Sequence, residues 1–426
     1  MTMQTDTPPT GFSKILKAEP EELSALVWAG LYFFCLLCGY YILRPVRDEM
    51  AIQGGVQHLP WMMSATFLVL LALTPVFGFL TARLPRHVLL PLVYLFFATH
   101  LALFYGFMTA GLYPEWVARC FFVWLSVFNL FVVAVFWTYM ADLFSNAQGR
   151  RLFGVISAGG SIGALAGPSL TAGLVPIIGI PSLMILSAGF LLACVVCIGR
   201  LHRWSRERGG LSHIASEAPM GGSMVAGIRL VAASPYLLGI CLYLFMLTAT
   251  ATFLYLEQAR LVGELIGSAQ ERTRLFASLD LVVNVLTLGS QLLVTNRLIG
   301  RWGVAGALSV LPVASVIGFV IFGAQPTLAS LLGFVVVRRV LEYSVAKPAR
   351  EVLFTVVTRE EKYKAKNFVD TAVSRAGDAA TAWLLTAAKA LGATAPLIAW
   401  TLVPLAAAWT WLGWILARKQ ERMKLG

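Results

Sequence analysis

Four short charged stretches hold most of the chemistry that this sequence could perform, and each abuts a long apolar run. Arg44-Pro45-Val46-Arg47-Asp48-Glu49 follows the first run and Glu257-Gln258-Ala259-Arg260 the seventh. Asp142, with Arg150 and Arg151 just beyond, closes the fourth, and Lys347-Pro348-Ala349-Arg350-Glu351 closes the tenth. A charge at the margin of hydrocarbon costs a few kcal/mol unless it meets protein, water or an opposite charge, so these groups call for partners. Guanidinium and ammonium groups in such places suit phosphate or carboxylate, which makes Arg44, Arg47, Arg260, Lys347 and Arg350 candidate substrate-binding cations. Asp142 and Glu257 are the matching candidates for gating or coupling. Tyr40, Trp137 and Tyr139 are placed to stack on a base, although helix packing uses aromatic rings in the same way.

Other chemistries find little support. The sequence has no Gly-rich phosphate loop ending in Lys and Ser/Thr, so nucleotide hydrolysis is not expected. No constellation of His, Asp or Cys suggests an enzyme, and no cofactor or metal is implied. Two C-x-x-C pairs, Cys35 with Cys38 and Cys194 with Cys197, lie inside apolar runs, where packing is the expected role. His100 is also within an apolar run and isolated in sequence from other ligating residues, which favours a satisfied packing role over the functional one that an intramembrane His invites.

The elements that must position these groups are membrane-spanning helices. Hydrophobic residues make up 58% of the 426 positions and charged residues 13%, a balance that excludes an ordinary water-soluble domain. Twelve apolar runs, each long enough to cross a bilayer as a helix, fall near 26–43, 61–81, 88–111, 117–141, 153–175, 181–199, 236–256, 276–295, 304–323, 328–346, 369–391 and 396–416. The expected fold is therefore all-α: a polytopic membrane protein of about twelve transmembrane helices in a 6+6 arrangement. Its parts would be a cytoplasmic tail (1–25), an N-terminal six-helix bundle (26–200), a cytoplasmic linker (201–235), a C-terminal six-helix bundle (236–417) and a cytoplasmic tail (418–426). The first 25 positions lack the compact apolar core and small-residue cleavage site of a removable signal peptide.

With the N-terminus inside, roughly 26 of the 33 Lys and Arg fall on the cytoplasmic side, among them Arg83, Arg86, the Arg200 to Arg208 cluster, the Arg338 to Lys366 stretch and Arg418 to Lys424. The net charge of +12 thus follows from topology, with no basic motif of the kind that binds nucleic acid. A monomer in a bacterial inner membrane, with both termini cytoplasmic, is the expected state.

The two halves look alike. The segment from Leu80 to Arg86 after the second span is echoed about 214 positions later by Val294 to Arg301 after the eighth, which implies a repeat of a whole half. The same offset sets Arg44 and Arg47 opposite Glu257 and Arg260. This pattern resembles the major facilitator superfamily, whose loop between helices two and three is matched by Gly78, Leu80, Arg83 and Arg86, with Ala82 where the family has Asp. The resemblance implies that spans one, four, seven and ten line a central cavity. Arg44 or Arg47 would then face Glu257 outside, and Asp142 would face Lys347 or Arg350 inside, as two alternating gates.

The charged stretches also resemble the ATP:ADP antiporter family, the nucleotide transporters of plastids and obligate intracellular bacteria, as a short divergent member. Its motifs are matched by Leu43-Arg44-Pro45-Val46-Arg47-Asp48, by Phe136-Trp137 with Asp142, Arg150-Arg151 and Phe153, by Glu342-Tyr343-Ser344, Pro348-Ala349-Arg350-Glu351 and Lys364-Ala365-Lys366, and by Asp370, Ser374, Arg375 and Gly377. The resemblance implies transport-essential roles for Arg47, Asp142, Glu257 and Arg350. Both family lysines are arginine here, the helix-one Asp is Pro45, and the helix-four Glu is Asp142.

The function expected is secondary transport of an organic anion such as ATP, ADP or another phosphorylated metabolite. Proton-coupled transport of another small solute, with Asp142 or Glu257 as the coupling group, is the alternative; a non-transporting sensor or scaffold is a third. Gly159, Gly163 and Gly167 form a small-residue face expected to let two helices approach closely, and Arg375 with Asp378 is expected to pair on one helix face. The topology predicts that an alkaline phosphatase reporter is active when inserted after Gly267 and inactive after Gly209; the reverse pattern would invert the assignment.

Overall fold

The computed structural model describes residues 19–207, 224–358, 366 and 369–425. Most of the N-terminal tail, residues 208–223 of the linker and Lys364 lie outside the described residues. Within them the chain is helical throughout, with no strand, as twelve apolar runs separated by short polar turns require. Lipid offers backbone amides no hydrogen bonds, so each span must close its own.

The helices are longer than the apolar runs that seed them. Leu23–Gln53 and Pro235–Leu265 each have 31 residues, about 46 Å at 1.5 Å per residue against roughly 30 Å of hydrocarbon. Both run about ten residues beyond the apolar ends expected at Leu43 and Leu256. Arg44 to Glu49 and Glu257 to Arg260 therefore lie inside helices that extend past the hydrocarbon, and do not terminate them. Leu59–Arg83, Arg86–Thr109 and Pro114–Leu143 form the next three spans. The fifth and sixth are the two arms of Asn146–Glu207, broken at Gly179, whose φ of 76° any side chain would strain. Gly392, 213 positions later and also at positive φ, makes the corresponding turn between the eleventh and twelfth spans. A turn repeated at nearly the offset read from sequence supports the duplicated half.

A short helix, Met224–Ala233, precedes the seventh span. Beyond it, Ala269–Ser290 passes through a π-helical turn, Gln291–Thr295, into Asn296–Ala324, which breaks at Gly303 to give the eighth and ninth spans. The tenth is Leu328–Leu341, a π-turn at Glu342–Ala346, and Lys347–Leu353. The eleventh opens with a third π-turn, Val369–Val373, before Ser374–Ala390, and Ala395–Leu425 is the twelfth. A π-turn leaves carbonyls without their usual amides, and side chains take them here. Thr295 Oγ1 donates to Ser344 O at 2.8 Å, Gln291 Nε2 to Tyr343 O at 3.3 Å, and Ser290 Oγ to Ser344 Oγ at 3.1 Å.

Two compact units make up the chain. One comprises Met1–Asp48, Thr74–Ala218 and Thr273–Ser278; the other comprises Glu49–Leu73, Pro219–Arg272 and Leu279–Gly426. The end of the first span and the start of the second thus belong with the later spans. Trp383 Nε1 donates to Ser64 Oγ at 3.0 Å, and the Trp61 and Trp383 rings meet edge to face.

In the first unit the fifth span lies directly on the first. A methyl group on Gly159 or Gly163 would overlap the carbonyl oxygens of Gly30 and Phe34, and one on Gly167 would stand 2.8 Å from Cys38 O. Thr171 Oγ1 and Ser187 Oγ donate to Ile42 O and Gly39 O of the same helix, and Tyr32 and Tyr94 share a 2.6 Å bond between hydroxyls. The second unit is centred on Tyr243 and Trp409 with Leu244, Leu308 and Leu311, and Tyr243 donates to Leu308 O at 2.8 Å.

Backbone cannot yield as a flexible side chain does, so Gly163→Leu should cost at least the ~1–3 kcal/mol typical of overpacking. A lower melting temperature in detergent, with Gly173→Ala in open space unaffected, is the expected result.

Candidate functional site

The charged stretches on the first and seventh spans end up differently engaged. Arg47 wraps onto Asp48, its neighbour in sequence (Nη2 to Oδ1 2.9 Å), and lies over the Phe122 ring; Arg44 lies over Tyr41. Glu257 is fully buried and accepts from Arg260 one turn on (2.8 Å) and from Lys389 of the eleventh span. Arg260 also grips Glu264 at 2.8 Å. Within its own unit, the carboxylate that the sequence assigns to a gate with Arg44 or Arg47 is bonded to Lys389, a residue not singled out from sequence.

Glu49, also in that first stretch, makes a two-pronged ion pair within the second unit. Its side chain has no exposure, and Arg272, in the first turn of the eighth span, clamps it with two bonds of 2.6 Å. The remaining Arg272 nitrogen caps Ile266 O and Gly267 O, so the guanidinium is committed on every side. A bidentate pair of this kind fixes both helix ends.

On the tenth span Arg350 meets Asp370 of the third π-turn at 3.0 Å, with Lys366 bonded to Glu351 nearby at 2.5 Å, while Lys347 is exposed. Asp142 is half-buried in the last turn of its helix. Arg151, just beyond, bonds to Glu19 and Glu22, and Glu22 is almost fully buried and also accepts from Gln148. Glu22 falls in the tail that the sequence places in solvent; the helix starts at the next residue and draws it in.

The aromatic candidates are used for packing. Tyr139 is 2% exposed and Tyr40 8%, the latter between Tyr41 and Phe128. Trp137 is half-buried against Phe33, Phe136 and Phe153. His100 Nδ1 meets Phe96 O of its own helix at 2.7 Å. All four C-x-x-C thiols are buried, and no group of three or more His, Cys, Asp or Glu among the described residues is arranged to hold a metal ion.

The most demanding charges are those inside the spans. Arg338 and Arg339 lie on the tenth helix, about 15 Å from its start at Leu328 by the rise per residue. Arg339 reaches Asp280 of the eighth span at 2.6 Å, both nearly enclosed. Arg338 donates to Glu342 at 2.9 Å and to Leu247 O of the seventh span at 2.7 Å. On the eleventh span Asp378 accepts from Arg375 and from Thr252, each at 3.2 Å. The sequence counted Arg338 at the head of a cytoplasmic basic stretch; the structure buries it among the helices at 3% exposure, with Arg339 largely covered beside it. Four charged positions within runs otherwise apolar, Asp280, Arg338, Arg339 and Glu342, were the available signal.

A family model for the Major Facilitator Superfamily matches residues 23–349. The chain belongs to that superfamily. Solved structures share its fold at low identity. A crystal structure of a mutant of the nucleoside transporter NupG aligns with TM-score 0.66 and 12% identity over 93% of this chain and 99% of its own. A bacterial homologue of the iron transporter ferroportin, in an inward-facing state, gives 0.66 and 12% over 94% and 99%. A bacterial homolog of the human lysosomal transporter Spinster gives 0.59 and 15% over 95% and 99%. No curated protein sequence matches significantly. Membership makes this chain a membrane transporter by fold.

Removing one member of a buried pair strands the other, at ~3–5 kcal/mol, whereas replacing both with apolar groups is often neutral. Asp280→Ala should therefore depress the melting temperature in detergent, and adding Arg339→Leu should restore most of it. Equal losses in the single and double variants would show that the pair is not coupled.

Proposed function

We propose that this transporter exchanges organic anions, with a nucleotide or another phosphorylated metabolite as cargo, by alternating access in a bacterial inner membrane. What carries this reading is the guanidinium supply. Arg338, Arg339, Arg350 and Arg375 all sit on the tenth and eleventh spans of one unit, each balanced by a carboxylate that an incoming anion would compete with. Arginine binds phosphate or carboxylate through two parallel bonds and keeps its charge in a low dielectric, which lysine does less reliably. The motif resemblance to the ATP:ADP antiporters favours nucleotides within that class and assigns transport roles to Arg47, Asp142, Glu257 and Arg350.

Glu49–Arg272 and Glu257–Lys389 are proposed as the ion pairs that hold one mouth of the pathway shut, since each ties helices distant in sequence. Opening then requires breaking them, and cargo drives the change only by binding one state better than the other. Asp142, with Lys347 and Arg350, is proposed to serve the opposite mouth. The protein acts as a monomer with both termini in the cytoplasm.

The deciding experiment uses purified protein in liposomes preloaded with ATP, ADP, phosphate or a sugar phosphate, with labelled anion outside and equal pH on both sides. Exchange of at least one anion is expected. Arg350→Ala and Arg47→Ala should each lower it about tenfold or more, a loss of ~1.4 kcal/mol, with Arg350→Lys intermediate. Absence of exchange for every anion, or full activity in both alanine variants, would defeat the anion reading.

A further inference from the structure

The last helix turns one row of side chains away from the second unit. Ala395–Leu425 continues about two and a half turns past the apolar run that seeds it, which closes at Leu416. One side of the helix is packed away: Trp409, Leu416, Ala417 and Gln420 are buried, with Leu416 against Gly239 of the seventh span and Gly413 against Tyr243 and Leu308. On the opposite side, at about 100° per residue, Trp411, Trp414, Arg418 and Arg422 line up in a single stripe. Trp411 is 66% exposed and Trp414 40%, and both arginines are exposed as well.

The stripe changes character along its length, from two indoles to two guanidiniums. Arg418 joins the halves by lying over the Trp414 ring, 3.5 Å from its centre, a contact that steadies the guanidinium and leaves its N–H edge open to an acceptor. The interior arginines of this unit, Arg338, Arg339, Arg350 and Arg375, each meet a carboxylate. Among the described residues no carboxylate pairs with Arg418 or Arg422. Residues 417–425 hold four bases, Arg418, Lys419, Arg422 and Lys424, and one acid, Glu421, so this helix end carries surplus positive charge. Lys419 is off the stripe, with its ammonium over the Tyr236 ring at 5.9 Å, and Lys424 leaves the helix about 200° round from Arg422.

A molecule that matches this stripe is apolar over one stretch and anionic at one end, within the roughly 16 Å of helix rise that separates Trp411 from Arg422. Free phosphate satisfies the arginines and leaves the indoles unused; a zwitterionic lipid brings a cation of its own to a place already rich in them. We propose that the stripe is a binding site for an anionic phospholipid: Arg418 and Arg422 hold the phosphodiester, the Trp414 ring lies beside the glycerol backbone, and an acyl chain runs over Trp411. The two forked guanidiniums suit the free oxygens of a phosphodiester, as two ammonium groups would not. Indole prefers the boundary between hydrocarbon and water, and basic residues just past a span are drawn to anionic headgroups. The bound lipid ties the end of the last span to the membrane surface. The site stands whether or not the cargo is an anion, since it lies on the outward face of the helix and shares no residue with the transport roles proposed above.

The test is native mass spectrometry of full-length protein in detergent, titrated with dioleoyl phosphatidylglycerol, dioleoyl phosphatidylcholine or glycerol 3-phosphate. Phosphatidylglycerol should be retained in clear preference to phosphatidylcholine, and glycerol 3-phosphate should not displace it. Arg418→Gln with Arg422→Gln should weaken phosphatidylglycerol binding about thirtyfold. Trp414→Leu, which keeps every charge, should weaken it about threefold. Lys419→Gln with Lys424→Gln removes as much charge from the same helix end but none from the stripe, and should leave binding close to that of the unaltered protein. All five side chains are exposed, so these variants should melt with the unaltered protein. Equal losses in the two double variants would mean diffuse attraction to surplus charge and would overturn the inference. Equal retention of the two lipids, displacement by glycerol 3-phosphate, or a dimeric mass abolished by Trp411→Ala, the sign that a second copy of the chain covers the stripe, would overturn it as well.

Discussion

An arginine buried among apolar helices must find its counter-charge inside the protein, and much of the second unit follows from that requirement. Arg338 and Arg339 are consecutive, so their side chains leave the tenth helix about 100° apart and must be met by different neighbours. Arg339 is met by Asp280 of the eighth span, and Arg338 by the Leu247 carbonyl of the seventh. Two adjacent residues thereby determine which helices flank the tenth. The arrangement is stabilising only as a whole, because each charge lost from it leaves another uncompensated.

The two units solve helix packing by different means. In the first, Gly159, Gly163 and Gly167 strip one face of the fifth span to backbone, and its contact with the first span is carbonyl against Cα, with hydroxyl bonds to the first span from Thr171 of the fifth and Ser187 of the sixth. Dispersion and small-residue proximity supply what the hydrophobic effect cannot supply in lipid. In the second, ion pairs and π-turn carbonyls capped by Thr295 and Gln291 hold the helices. A repeated chain topology has thus been filled with different chemistry, aromatic and small on one side, charged and hydroxylic on the other. The superfamily's solved transporters share the topology at 12–15% identity, which fits a fold specified by apolar pattern and a cargo specified by a few interior side chains.

Much of the candidate site was visible as residues but not as pairs. Glu257 stood out because an acidic residue gains nothing from topology, yet its partner Lys389 looked like an unremarkable charge near the end of the eleventh span. Glu49 was seen beside Arg47, whereas Arg272 fell in a connection that reads as ordinary polar loop. Arg338 and Arg339 were legible in principle, since charges within an apolar run are costly, but the density of basic residues that follows them in sequence made them look like its beginning. The small-residue face was the clearest case: spacing of four in a helix has one geometric consequence, and the close approach of the first and fifth spans is that consequence.

Apolar length is a local property, and the sequence by itself determined what depends on it: twelve spans, two related halves, membrane residence and membership of a transporter fold. Where each helix ends was less accessible, because a helix continues past the hydrocarbon wherever its polar turns find partners, as Arg44 to Glu49 do. Which charge meets which was decided only by the tertiary structure. An ion pair between Glu49 and Arg272, or between Glu257 and Lys389, joins positions more than 130 residues apart. Coulomb attraction has no sequence signature at such separations; it acts only after the helices have been brought side by side.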